Sequence, residues 1–160
     1  MERRDAECIM IYYKEIPEMI ENFCREKNEI EEKYYNGNHA MDMDGMPHGS
    51  GTSNPTAALA VRAAENSVGE EIDEINTRLE VLCGDRRQIR AAVNTLNNRY
   101  KNVLIGKYVN GDSWTELSLK IHASTSTIRY WRDKALDRLN LSMQDEPMID
   151  ELVKRASRAR

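Results

Sequence analysis

The residues with the most chemistry to offer lie between 113 and 140. Ser124, Thr125, Ser126 and Thr127 set four hydroxyls in succession, and Arg129, Tyr130, Arg132 and Lys134 follow directly. Short hydroxyl residues at a helix start sit beside free backbone donors and the positive end of the helix dipole, which favour phosphate. Guanidinium and ammonium groups on the next turns can reach phosphates or guanine edges. This is the chemistry of polyanion recognition. No P-loop, G-x-S-x-G or H-E-x-x-H pattern is present, so we expect no catalytic residue, no cofactor and no enzyme activity. His39, Met41, Asp42, Met43, Asp44, Met46 and His48 mix soft and hard ligands at irregular spacing in a Gly-containing stretch, which defines no metal geometry. His122 has no carboxylate or nucleophile paired with it in sequence and reads as a turn residue.

Helices must position these groups. Ser113, with Glu116 three residues later, forms a capping box for a short helix through Ile121. His122-Ala123 separates it from a second helix that starts at Ser124 or Thr125 and runs to about Asn140, burying Ile128, Trp131, Ala135, Leu136 and Leu139. Trp114, Leu117 and Ile121 face inward on the first helix, and Ala123 offers a small residue where the two approach. The pair has the lengths of a helix-turn-helix. Upstream, Ile89 to Leu96 ends one helix, Asn97-Asn98 makes a turn or cap, and Tyr100, Val103, Leu104, Lys107 and Tyr108 continue helically to Val109-Asn110-Gly111-Asp112.

The front of the chain is helical too. Ile9, Tyr13, Ile16, Ile20, Phe23, Lys27, Ile30 and Tyr34 recur at spacings of four and three, interrupted by Pro17, which predicts a kink or break near Glu15 to Pro17. Residues 36–53, rich in Gly, Ser, Asn and Asp, read as a loop. Asn54 as N-cap and Pro55 at the first helical position open a long helix. Its seam is Ala58, Val61, Glu65, Val68, Ile72, Ile75, Leu79, Leu82, Arg86, Ile89, Val93 and Leu96, and Gly84-Asp85 is a point of weakness. Either the first helix folds back on this seam as an antiparallel hairpin or a second chain covers it.

Composition agrees with an all-α chain: 6% of residues are aromatic and a single Phe is present, so Leu, Ile, Val, Met and Ala must fill the core. No apolar stretch is long enough to span a membrane, and the first residues lack the apolar core of a signal peptide. Cys8, Cys24 and Cys83 share no C-x-x-C spacing; they read as buried small apolar residues in a reducing cytoplasm. The net charge of −4 hides an asymmetry: residues 1–85 carry 8 Lys and Arg against 19 Asp and Glu, and residues 86–160 carry 15 against 8. We therefore expect an acidic helical or oligomerisation region over 1–85, a helix-turn-helix DNA-binding domain over 86–142, and a basic, partly disordered tail over 143–160 with a short helix from Met148 to Ala156.

The stretch IRAAVNTLNNRYKNVLIGKYVNGDSWTELSLKIHASTSTIRYWRDKALDRL resembles the DNA-binding region four of bacterial sigma factors. It shares the leading helix, the Y-x-x-G-x-S-W turn, two reading helices and a closing K-A-L-x-x-L. With MPHGSGTSNPTAALAV and a long helix before it, the chain is similar to phage late-gene transcriptional activators of the ArpU and RinA type over roughly residues 46 to 140. The resemblance implies a phage or prophage regulator in the host cytoplasm. It would bind promoter or operator duplex DNA, with homodimer formation and contact to RNA polymerase as further expectations. Recognition-helix duty falls on Thr125, Ser126, Thr127, Arg129 and Tyr130, with Ser124, Arg132 and Lys134 as further contacts. Two residues depart from the family: Ser118 stands where Ala is usual, and His122 where Gly is frequent, which predicts a differently closed turn. The alternative is a DNA-packaging recognition subunit like a small terminase, which also joins a helix-turn-helix to oligomerisation helices but assembles into rings.

Overall fold

A computed structural model describes the backbone of residues 3–39, 55–144 and 149–158, with side chains for 3–34, 66–144 and 149–158. The chain is all-α. Its described elements are α1 (Arg3–His39), α2 (Pro55–Thr95), α3 (Asn98–Leu104) continued by a π-helical turn (Ile105–Val109), α4 (Trp114–Ile121), α5 (Thr125–Met143) and α6 (Ile149–Arg158). No strand occurs among the described residues, and no helix there is long and apolar enough to cross a membrane.

Two compact units divide the chain. One comprises residues 19–81, and the other combines residues 1–18 with 82–160. This partition departs from the expected boundary near residue 85, because the first turns of α1 bury Ala6, Ile9, Met10, Tyr12 and Ile16 within the unit formed by the C-terminal helices. The middle unit holds 5 Lys and Arg against 13 Asp and Glu, net −8, and the other unit 18 against 14, net +4.

In the middle unit α1 and α2 run antiparallel. Lys27 Nζ donates to Asn76 Oδ1 at 3.0 Å, and Arg78 stacks over Phe23 at 5.7 Å, so pairing descends along α2 as it ascends along α1. That is the hairpin arrangement of the two left open by the periodicity. Ile75 is buried there, with Val68, Ile72 and Leu79 half-buried beside it.

The larger unit is tied together by a buried carboxylate. Asp85, 4% exposed, accepts from the Tyr12 hydroxyl at 2.9 Å and from Arg155 Nε and Nη2 at 2.8 and 2.6 Å. One side chain thus joins α1, α2 and α6. Arg86, expected on the seam, is exposed, and Asp85 takes the inward position between Leu82 and Ile89 because its charge is fully paired there. α2 is continuous through Gly84-Asp85, the expected point of weakness.

α1 is likewise continuous through Pro17, in place of the expected break. Pro17 is exposed and removes a single ladder donor, while its neighbour Ile16 is completely buried and holds the helix to the core. Residues 36–39 of the expected loop at 36–53 belong to α1, which continues to His39; residues 40–54, including most of the His and Met cluster and the Asn54 cap, lie outside the described residues. Cys8 is buried as expected, but Cys24 and Cys83 are exposed because each falls on the outer face of its helix. The anticipated short helix near the C-terminus is α6. Leu152 and Ala156 are buried and Arg155 reaches Asp85, so residues 149–158 are a packed element and not a loose tail.

Arg155→Ala should lower unfolding stability by about 2 to 3 kcal/mol in urea titrations, because Asp85 would keep its burial and lose its counter-charge. The lower end applies because the Arg155 side chain retains 30% of its exposure. Asp85→Leu combined with Arg155→Met should recover most of that loss.

Candidate nucleic-acid interface

The local structure from α3 to α5 follows from caps. Asn97 caps α3 by accepting from Tyr100 N at 3.0 Å. Ser113 caps α4 with both arms of the capping box, Ser113 Oγ accepting from Glu116 N at 3.2 Å and Glu116 Oε2 from Ser113 N at 2.7 Å. Those hydrogen bonds hold the Glu116 carboxyl below its ordinary pKa. Ser124 caps α5 by accepting from Thr127 N at 3.2 Å.

The turn between α4 and α5 is built by His122 and Ser118. His122 takes a left-handed conformation at φ 54°, ψ 46°, which a non-glycine residue adopts at a steric cost. Ser118 Oγ donates to the Ala123 carbonyl at 2.6 Å and closes the turn across the helix end. An alanine at 118 could not do this.

Packing fixes how α5 presents itself. Val103, Leu117 and Ile128 form a buried core, with Trp114, Ile121, Ala123 and Trp131 packed against it. Gly106 lets α4 approach: a Cβ there would lie 2.5 Å from Leu117 Cδ2 and 3.0 Å from Asp112 Oδ2. The Asp112 carboxylate meets Lys120 Nζ at 2.7 Å.

Of the residues expected to touch DNA, Thr125, Ser126, Arg129, Tyr130 and Lys134 are exposed, with Tyr130 at 59%. Ser126, Tyr130 and Lys134 succeed one another at i, i+4 and i+8 on the side of α5 away from Ile128, Ala135 and Leu139. Ser124 is exposed too, but its hydroxyl serves the cap and lies 2.9 Å from Ser126 Oγ and 2.8 Å from Thr127 Oγ1. Thr127 is half-buried.

Arg132 is a correction. Expected on the outer face, its side chain is 27% exposed and turned toward the fold, with Nη1 3.9 Å from Glu7 and Nε 2.8 Å from Asp133 Oδ1, the latter without hydrogen-bond direction. Burial opposes its charge, yet the Tyr108 hydroxyl and the Asp133 and Glu7 carboxylates outweigh burial and hold its pKa above the ordinary value. Trp131 is also less enclosed than expected. It is half-buried, with Arg99 stacked 4.5 Å from its ring.

Cations gather on aromatic faces around α5. Lys107, Arg129 and Arg132 lie 4.7, 5.4 and 5.6 Å from the Trp114 ring, Arg138 lies 5.5 Å from Tyr100 and Lys134 lies 5.9 Å from Tyr130. Stacking restrains long side chains that would otherwise sweep through solvent. The Arg129 shelf is legible only in part: Trp114 and Arg129 are visible in the sequence, their meeting is not. No group of three or more His, Cys, Asp or Glu that could hold a metal occurs among the described residues. Comparison with protein-family models, curated protein sequences and solved structures finds no match to this chain.

Two outcomes follow from this geometry. Gly106→Ala should cost about 1 to 3 kcal/mol in thermal or urea unfolding, since Leu117 must yield its place. The second concerns Tyr108, whose hydroxyl donates to Glu7 Oε1 at 2.9 Å; burial chiefly, and then Glu7, push its pKa up from 10 to about 12. The folded state therefore keeps this proton longer than the unfolded chain. Its contribution is complete below pH 10 and declines as pH rises toward 12. Urea midpoints measured across that range should fall less steeply in Tyr108→Phe than in the parent.

Proposed function

We propose that the protein is a sequence-specific DNA-binding regulator of transcription in which α4 and α5 act as a helix-turn-helix and α5 reads the major groove. One observation carries this reading. The N-terminal turns of α5 present Thr125, Ser126, Arg129 and Tyr130 to solvent while Ile128, on the opposite side, is fully buried against α4 and α3. A helix held by its back in this way offers its hydroxyl and guanidinium groups at fixed positions, as base readout requires. The net charge of +4 on this unit suits a duplex, and the resemblance to phage late-gene activators supplies the biological class: promoter binding that activates late genes of a phage or prophage. The acidic hairpin of residues 19–81, net −8, would be repelled by the DNA backbone and is the surface left for RNA polymerase or a second copy.

The test is recovery of bound genomic fragments by the purified full-length chain, followed by binding measurements on the recovered duplex. Thr125→Ala with Arg129→Ala should weaken binding at least tenfold and relax sequence preference, since a bidentate hydrogen-bonded pair with a base is worth about 1 to 3 kcal/mol of discrimination. The melting temperature should change little, because both side chains are exposed. Unaltered binding would remove α5 as the reading helix. A monomer or dimer in solution fits regulation, and a stable ring of many chains would transfer the protein to DNA packaging.

A further inference from the structure

We infer that a second cationic surface, on the C-terminal part of α2 and outside the α4–α5 pair, carries backbone phosphates of the duplex flanking the site read by α5. This rests on the DNA-binding reading above and adds a contact surface to it.

Arg86, Arg87 and Arg90 are all exposed on α2. None of the three makes an ion pair among the described residues, and no carboxylate stands three or four positions away from any of them on the helix. The adjacent Asp85 is buried and fully engaged by Arg155 and Tyr12. Three like charges within five residues repel one another unless a polyanion lies along them. The helix rise sets Arg87 and Arg90 about 4.5 Å apart along the axis and Arg86 and Arg90 about 6 Å apart, a spacing suited to neighbouring phosphates on one strand.

The ridge continues toward α4. Asn94, one turn beyond Arg90 on the same exposed side, accepts from Lys101 Nζ at 2.5 Å, which draws that ammonium from α3 into line with the arginines. Lys101 and Lys120 together border a recess of about 300 Å³ between the end of α3 and α4, whose polar lining also includes Asn102, Asn110 and Asp112. Asp112 is the carboxylate of that lining, and it is paired with Lys120. Positive charge therefore runs from Arg87 and Arg90 to Lys101, and stops short of Lys120, whose ammonium is neutralised by Asp112. Duplex backbone is favoured over an acidic protein because the residues of this track, Arg86, Arg87, Arg90, Asn94 and Lys101, include no large apolar side chain that could anchor a protein partner.

The experiment compares the parent, Arg86→Gln/Arg87→Gln/Arg90→Gln and Thr125→Ala/Arg129→Ala, all full length, on a labelled random-sequence duplex of about 30 base pairs over a range of salt. Poly-glutamate is the competing acidic probe. The α2 variant should bind the duplex about tenfold more weakly at about 0.1 M salt, with the slope of log affinity against log salt shallower by about 2 to 3. Its melting temperature should match the parent. Full duplex affinity and slope in the α2 variant, with weakened binding in the α5 variant, would overturn the inference and leave the function standing. Weaker binding to poly-glutamate with none to the duplex altered would assign the ridge to an acidic protein and also overturn it. A parent chain without salt-dependent duplex binding would remove both readings.

Discussion

The larger unit depends on the charge of Asp85 being neutralised where no water can do it. A carboxylate at 4% exposure is tolerable only with its partners in place, and here they reach α2 from two other helices: the Tyr12 hydroxyl from α1, and Nε and Nη2 of Arg155 from α6. The net free energy of such a triad is modest, but its geometry is exacting. It sets the rotation of α2 and the register of α1, and it anchors α6. Arg3 to Asp137 and Glu7 to Tyr108 then extend the same fastening along α1 to α5 and to the end of α3. The position of the exposed α5 face therefore rests on contacts far from it in sequence.

Much of this is legible in the residues. The capping box at Ser113, the Ser124 cap and the Ile128, Ala135, Leu136, Leu139 stripe place α4 and the start of α5 within a residue, and the end of α5 within three, because caps and periodicity are local signals. The seam of α2 is visible for the same reason from Val68 to Leu96, Arg86 excepted, while Ala58, Val61 and Glu65 lie outside the residues with described side chains. What fails is long-range. Asp85 and Arg86 are equivalent to a hydropathy pattern, and only a cation seventy residues later decides between them. Pro17 is a helix breaker by local rule, overridden by burial of its neighbour. Arg132 belongs to an exposed face by type, but Tyr108 and Glu7 draw it inward. The π-helical turn at Ile105–Val109 leaves no sequence signature beyond Gly106, whose need emerges once Leu117 is beside it.

The distribution of aromatics also becomes intelligible. With few such residues in the chain, Trp114 and Trp131 are expected to fill the core, yet they share a role with Tyr100 and Tyr130. Instead all four keep a face for a cation. Aliphatic side chains supply the buried volume, and the rings act as supports that hold Arg99, Lys107, Arg129 and Arg138 without an ion pair among the described residues, while Arg132 also meets Glu7 and Asp133. A guanidinium on an indole keeps its charge available in a way that one in a salt bridge does not.

Because residues 1–18 and 82–160 build one unit, two stretches separated by more than sixty residues must meet before that unit has its core. During synthesis, α1 leaves the ribosome with Ile9, Met10 and Ile16 uncovered and waits through more than sixty residues for its partners. The hairpin between them shortens that search by drawing the two ends together, which lowers the entropy lost on closure. A chain interrupted before Arg155 would lack the counter-charge of Asp85, so its core would hold an unpaired carboxylate until that cation arrived.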